Sequence, residues 1–401
     1  MKQAAHWITE KRLKVYPKVM FAVMMVVTVV FFHGAKNGVD SLGRPLGYDF
    51  ITYYAASKMA LAGHAAEAYS VPAIAAVEHA IVPATADKFA WYYPSTFYLL
   101  IVPLAWMPYY VALFVFVGLG LAAYLLVLRR VIRGPEAMWC LAGFSGLWLN
   151  LLQGQNGFLT AAIAGAALLA MEEHPAMAGV LVGMMAIKPH LALLFPVALI
   201  AARMWKTLAV AAVTTVVFVG LGTWALGVAT LKACVGSLPT ARMYLEDGSL
   251  PWAKMPTVFA MLRTAHVPVT AAYVVHGVVA LAAVVAVWRV WSRTADWMLR
   301  GAVLMSATFL VSPYFFDYDM AWLAFPIAWL ALVGMRDGWM RGEREVLALV
   351  WVLPMLMQPL AKEIVVQPSV LAIVAMVWMV VRRVDRGTHL ASQESGLELA
   401  A

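Results

Sequence analysis

Charge is scarce in this sequence. Only 12% of its 401 residues are Asp, Glu, Lys or Arg, about half the roughly 25% of an ordinary soluble domain. Long polar stretches are missing too, so no separate soluble domain is expected beside the apolar bulk. Cysteine is nearly absent: Cys140 and Cys234 stand alone, without a CxxC spacing for zinc. There is no Walker loop, no GxGxxG turn after a strand and no Ser or Cys nucleophile motif, so cytosolic nucleotide chemistry has no residues to run on. No internal repeat is found.

What is present is apolar. Hydrophobic residues make up 64% of the chain, the mean hydropathy is +0.81, and apolar stretches of spanning length recur from Met20 to Val381. This predicts an all-α integral membrane protein with about twelve crossings, near 17–33, 95–128, 138–152, 156–171, 176–188, 190–202, 207–226, 269–291, 298–312, 318–334, 345–360 and 365–381. Several are shorter than the roughly 20 residues a perpendicular helix needs, which implies tilt, re-entry or burial among neighbours. Pro103 and Pro108 break the long second segment into an entry helix and a full span.

The net charge of +8 points to anionic headgroups rather than nucleic acid, because the cations sit in short clusters between apolar runs. With the N-terminus inside and the first helix uncleaved, 19 of the 29 Lys and Arg fall on the cytoplasmic side. The expected organisation is one transmembrane domain over 1–386, with N- and C-termini cytoplasmic and a disordered tail over 387–401. Two long outer loops cover 34–94 and 227–268, and the two cysteines lie on opposite sides. In the first loop, 50–62 reads as an amphipathic helix closed by Gly63 and lying along the outer surface. A second short helix is expected at 72–82, and Trp91, Tyr92 and Tyr93 read as an interfacial aromatic belt.

Concentrated polar chemistry occurs in four outer turns. Asp49, in Gly47-Tyr48-Asp49-Phe50, is either a helix N-cap or a general base at the membrane boundary. Lys188 and His190, in Ile187-Lys188-Pro189-His190, lie where a buried charge is costly and usually functional; they suit a phosphate clamp, against a snorkelling lysine. Asp317 and Asp319 either cap the helix that follows or contact a sugar or metal, with Tyr314 and Tyr318 beside them. Gln153, Gln155 and Asn156 offer amides for sugar hydroxyls, or form only a turn. Tyr48, Tyr53 and Tyr93 join the substrate lining. Arg242, Glu246, Asp247, Lys254 and Arg263 read as solvated loop surface.

The ordered set Tyr48-Asp49-Phe50, Tyr53-Tyr54-Ala55, Tyr93-Pro94, Gln153-Gly154-Gln155-Asn156, Ile187-Lys188-Pro189 and Ser312-Pro313-Tyr314 resembles the polytopic glycosyltransferases of family 87. These belong to the GT-C superfamily, which includes mannosyltransferases. The resemblance implies a GT-C-type helical bundle in the bacterial cytoplasmic (inner) membrane. It also implies an inverting transferase that takes a hexose, mannose-like, from a polyprenyl-phosphate donor to a lipid or glycan acceptor at the periplasmic face. Asp49 matches the family's base and Lys188 a donor-phosphate contact; no cofactor and no bound metal is called for. Some relatives carry a histidine where this chain has Asp317 and Asp319. The rival reading is a transporter or flippase of a lipid-linked sugar, which predicts repeat symmetry and polar residues at the midplane.

Overall fold

The computed structural model describes residues 7–86, 88–364 and 366–398, with side chains described to Gly387. Among the described residues there is no strand, only isolated bridges at Lys36–Val39 and Val39–Pro45. The first half of the chain forms α1 (Glu10–His33), α2 (Phe50–Leu61), α3 (Val71–Ile81), α4 (Ser95–Ile101), α5 (Tyr109–Val131), α6 (Pro135–Ala142), α7 (Ser145–Gln153), α8 (Gly157–Ala170) and α9 (Pro175–Met184). The second half forms α10 (Leu194–Ala201), α11 (Trp205–Leu226), α12 (Val228–Asp247), α13 (Val258–Thr264), α14 (Val269–Arg293), α15 (Trp297–Val311), α16 (Ala324–Asp337), α17 (Glu343–Ile364) and α18 (Pro368–Glu398). Short 3₁₀ turns at Val102–Trp106, Met185–Ile187, Pro189–Leu191, Trp252–Lys254 and Asp317–Leu323 join several of them.

The helix boundaries follow local chemistry. Thr9 caps α1 by accepting from the N–H of Arg12 at 3.3 Å, and Asp296 caps α15 through the N–H groups of Met298 and Leu299 at 2.9 and 3.2 Å. Helix α5 starts after Pro108 and carries Arg129 and Arg130 in its last turn, where cations complement the helix dipole. The prolines break the second segment as expected, into α4, the turn at Val102–Trp106 and α5.

Six segments are long and apolar enough to cross a bilayer: α1, α5, α11, α14, Asp317–Asp337 and α17. The remaining expected crossings fall on α6–α7, α8, α9, α10, α15 and α18. The long helices present apolar side chains outward, among them Phe114, Val216 and Trp224, as lipid-facing surfaces do. Between them a continuous core buries Trp91, Trp291, Trp322 and Trp329.

The loop connecting α1 to α2, the α7–α8 turn, the turn at Lys188 and the turn after α15 all emerge at one end of the bundle. The other end carries the basic clusters, tied by Arg289–Asp385 at 2.8 Å, Arg336–Asp337 at 2.7 Å and Arg383–Glu343 at 2.5 Å. Free Cys234 lies at the first end, near the carbonyl of Tyr93. Free Cys140 lies near the other end, its carbonyl accepting from Trp351 Nε1.

Three expectations are corrected. Helix α2 does not float on a surface: nine of its twelve residues, from Phe50 to Met59, are buried, because it packs beneath α3, α4 and the turns at 65–69 and 102–106. Its closure is as expected, with Gly63 at φ +82° just past the helix. Trp91 and Tyr93 form no interfacial belt but pack with Tyr53, Phe97 and Tyr98 in an interior aromatic cluster. Finally, α18 continues to Glu398 where a disordered tail was expected from 387, its Ala, Leu and Glu being good helix formers; residues 399–401 lie outside the described residues.

Candidate active site

Asp49 occupies the residue before α2, yet its side chain makes no capping bond. Capping requires an extended backbone, from which the carboxylate curls onto the first-turn N–H groups; Asp49 is already helical at φ −66° and ψ −14°. Its Oδ2 instead accepts from Gln155 Nε2 at 2.5 Å. The amide oxygen of Gln155 accepts from the Tyr53 hydroxyl, from the backbone N–H of Asn156 at 3.2 Å and from the Tyr93 hydroxyl at 3.4 Å. The two tyrosine hydroxyls are 2.7 Å apart. With its oxygen satisfied, the amide of Gln155 can present only its NH₂ group to Asp49.

Backbone contact brings these residues together. Gly154 ends α7 in the left-handed region at φ +59°, and a Cβ there would stand 2.6 Å from the carbonyl oxygen of Gly47 and 2.9 Å from Phe50 Cβ. Only glycine lets the Gln153–Asn156 turn approach the Tyr48–Asp49 loop this closely. Gly157 does the same on the other side, against Asn150 and the carbonyl of Tyr318.

A second arm starts at Asn156, whose Oδ1 accepts from Lys188 Nζ at 3.4 Å. Lys188 donates to Asp319 Oδ1 at 2.5 Å and lies 5.0 Å from the centre of the Tyr318 ring. Lysine and carboxylate are 3% and 1% exposed, so this is an interior ion pair. The far atoms, Asp319 Oδ2 and Asn156 Nδ2, are buried without a partner. A third arm runs from Lys254, which donates to Gln153 Oε1 at 2.7 Å; Gln153 Nε2 donates to Asp317 Oδ1 at 3.1 Å.

The structure thus joins Asp49, Tyr53, Tyr93, Gln155, Asn156, Lys188 and Asp319 in one hydrogen-bonded network, and Lys254, Gln153 and Asp317 form a second chain from the same α7–α8 turn. The turn over Asp317–Leu323 opens after Phe316, which supplies no side-chain cap. Tyr48 turns its hydroxyl away from the network, to Asp40 Oδ2 at 2.9 Å. His190 shares no hydrogen bond with Lys188: its ring stands edge-on to Tyr314 and Phe315, at 5.8 and 5.3 Å, and its Nε2 is unpartnered. Tyr314 accordingly enters as an aromatic wall with Phe316. Lys254, read from sequence as solvated surface, belongs to the site. A lone lysine in a loop carries no motif, and its bracketing Pro251 and Pro256 signal only a stiff turn.

Among the three acids, exposure separates the roles. Asp317 and Asp319 are closed off at 3% and 1%, whereas Asp49 keeps partial solvent contact. Burial pushes the Asp49 carboxyl above the ordinary carboxylate range, opposed chiefly by the positive charge of Lys254 and then by the Gln155 bond. A largely buried carboxylate of raised basicity, held by one amide and flanked by cations, is equipped to take a proton from a hydroxyl.

The profile of glycosyltransferase family 87 matches residues 91–313, more than half of the chain. The chain belongs to glycosyltransferase family 87. No curated protein and no solved structure matches it. The matched span of this family 87 glycosyltransferase contains the Gln153–Asn156 turn, Lys188, His190 and Lys254. It begins after Asp49 and ends before Asp317 and Asp319, whose place in the site rests on the contacts above.

Proposed function

We propose that this membrane glycosyltransferase moves a hexose, mannose-like, from a polyprenyl-phosphate donor to a hydroxyl of a lipid or glycan acceptor. The reaction takes place at the periplasmic face of the bacterial inner membrane, with inversion at the anomeric carbon. The observation that carries the reading is Asp49 itself: a carboxylate released from capping, held by Gln155 and only partly exposed, at a bundle end. That end lies opposite the basic clusters, which the positive-inside bias assigns to the cytoplasm.

The acceptor oxygen bonds to the anomeric carbon while Asp49 takes the hydroxyl proton, a contribution typically worth about 10²–10⁴-fold in rate. The bond from the anomeric carbon to the phosphate oxygen breaks, and polyprenyl phosphate leaves. Single displacement needs no protein nucleophile. Asp319 Oδ2 and Asn156 Nδ2, an acceptor and a donor on the two partners of Lys188, have no partner in the protein. Left bare, such atoms cost about 1–3 kcal/mol each, which favours a polar ligand over an apolar one. The lipid chain would lie against the exposed apolar helices, placing its phosphate at the level of this end.

The test offers the purified protein a radiolabelled polyprenyl-phosphate hexose or a nucleotide hexose with a lipid acceptor, and determines the anomeric configuration of the product. Transfer from the lipid phosphate with inverted configuration is expected. Transfer from the nucleotide sugar without lipid, or a retained configuration, would overturn the reading.

A further inference from the structure

The leaving phosphate needs a cation, and the sequence pointed to Lys188. In the structure the charge of Lys188 is already matched by Asp319 at 2.5 Å, and the pair is closed to solvent. Turning Lys188 toward a ligand would strip a buried carboxylate that already has one oxygen without a partner, an unfavourable exchange in a low-dielectric interior. Lys254 is in the opposite situation. Its polar partner is a neutral amide, Gln153 Oε1, and it forms no ion pair among the described residues. It is partly exposed, as Asp49 is.

Lys254 also stands beside the reacting centre. Gln153, which it holds, is two residues from Gln155, which holds Asp49. Its Nζ lies 5.9 Å from the ring centre of Tyr48, the neighbour of Asp49. The turn that carries it is built for position. Gln367, fully buried between α17 and α18, donates to the carbonyls of Trp252 at 3.0 Å and Ala253 at 3.1 Å. Trp252 Nε1 donates to the Leu245 carbonyl at 2.8 Å, and the guanidinium of Arg263 lies 4.9 Å from its ring. Leu245, Met255 and Phe259 pack with Phe316 and Tyr318 in a cluster separate from the main core. The second outer loop is thereby docked on the Asp317–Asp319 turn with Lys254 facing the site.

We propose that Lys254 is the residue that binds the phosphate of the lipid donor and offsets the charge that develops there. This rests on the polyprenyl-phosphate reading above. As the acceptor oxygen bonds to the anomeric carbon, its proton goes to Asp49. The electron pair of the breaking carbon–oxygen bond stays on the phosphate, which changes from a monoanionic diester to a dianionic monoester. A cation hydrogen-bonded only to a neutral amide interacts more strongly with the product-like transition state than with the donor, which is the condition for catalysis.

The test uses the full chain in nanodiscs and measures inhibition of transfer by polyprenyl phosphate and by the uncharged polyprenol of the same length. Wild type, Lys254→Gln, Lys254→Arg and the exposed control Lys232→Gln are compared at matched melting temperatures. Wild type and Lys232→Gln should prefer the phosphate strongly. Lys254→Gln should lose about tenfold or more of that preference and about 10²-fold in kcat, the scale of one lost oxyanion donor, while Lys254→Arg restores most of both. Because Lys254 opposes the upward push on the Asp49 carboxyl, the acid limb of kcat/KM should move to higher pH in Lys254→Gln, which a purely structural loss would not produce. If wild type prefers the phosphate and Lys254→Gln does so equally, Lys254 is not the phosphate ligand and the donor reading survives. If wild type does not distinguish phosphate from alcohol, the donor reading fails and this assignment fails with it.

Discussion

A carboxylate just before a helix ordinarily binds the first-turn N–H groups, and a lysine at membrane depth ordinarily escapes toward water. Asp49 and Lys188 do neither, and each is understood through its partner. Asp49 is held by an amide whose oxygen two tyrosine hydroxyls and a backbone N–H already occupy. Lys188 is held by Asp319 inside the protein. Removing one member of such a buried pair leaves an unmatched charge, so Lys188→Met should destabilise by about 3–5 kcal/mol. Lys188→Met with Asp319→Leu should recover most of that loss, since replacing a whole buried pair with apolar groups is often near neutral. Thermal unfolding of both variants in one detergent checks this. A double variant no more stable than the single one would contradict the interior-pair account. These residues were visible in the sequence as polar turns. Their partners were not, because Asp319 and Lys188 lie 131 residues apart and no local pattern records which long-range contact wins.

Helix α2 sets the height of Asp49, and two features hold it. Gly154 admits the α7–α8 turn against Gly47 and Phe50. Gly154→Ala places a side chain in left-handed backbone and in collision, a strain of about 1–3 kcal/mol, and should reduce transfer more than it lowers the melting temperature by moving Gln155 off Asp49. Activity equal to wild type would contradict that contact. The other feature is Glu78 on α3, fully buried, which accepts from the Thr52 hydroxyl at 2.5 Å and from the Phe89 N–H at 3.1 Å. Burial pushes its carboxyl up to about 7. A group whose folded value is raised contributes stability that is fully present below its unfolded value, near 4.5, and lost as pH rises through 7. Wild type should therefore melt at lower temperature at pH 8 than at pH 5.5, and Glu78→Gln should flatten the difference. An unchanged pH dependence in Glu78→Gln would assign it to other groups. The sequence over 50–62 reads as an amphipathic helix lying along the outer surface. Tyr53, Tyr54 and Ser57 are nonetheless buried, because they meet polar groups on neighbouring elements: the Tyr54 hydroxyl donates to the Met107 carbonyl at 2.6 Å, and Ser57 Oγ to that of Ile101 at 3.0 Å. A polar side chain with a buried partner looks solvated in a one-dimensional pattern.

At the scale of the whole molecule, apolar composition made the all-helical membrane class legible, and prolines and charges marked most helix ends. What stayed hidden was the docking of the second outer loop, since Lys254 enters the site through Gln153, Gln367 and a small separate core rather than through any motif. The orientation follows from the basic end lying inside. With Cys140 and Cys234 replaced by alanine, a membrane-impermeant maleimide should label Ser249→Cys in intact cells and Arg133→Cys only after permeabilisation, both positions being exposed at opposite ends. The reverse pattern would contradict the proposed periplasmic face. The central claim is that Asp49 takes the acceptor's proton, and the most direct measurement is the single-turnover rate of hexose transfer from polyprenyl phosphate by wild type and by Asp49→Asn at matched melting temperature. A fall of about 10²–10⁴-fold in Asp49→Asn, with polyprenyl-phosphate binding retained, is the result the account predicts; a rate equal to that of wild type would contradict it.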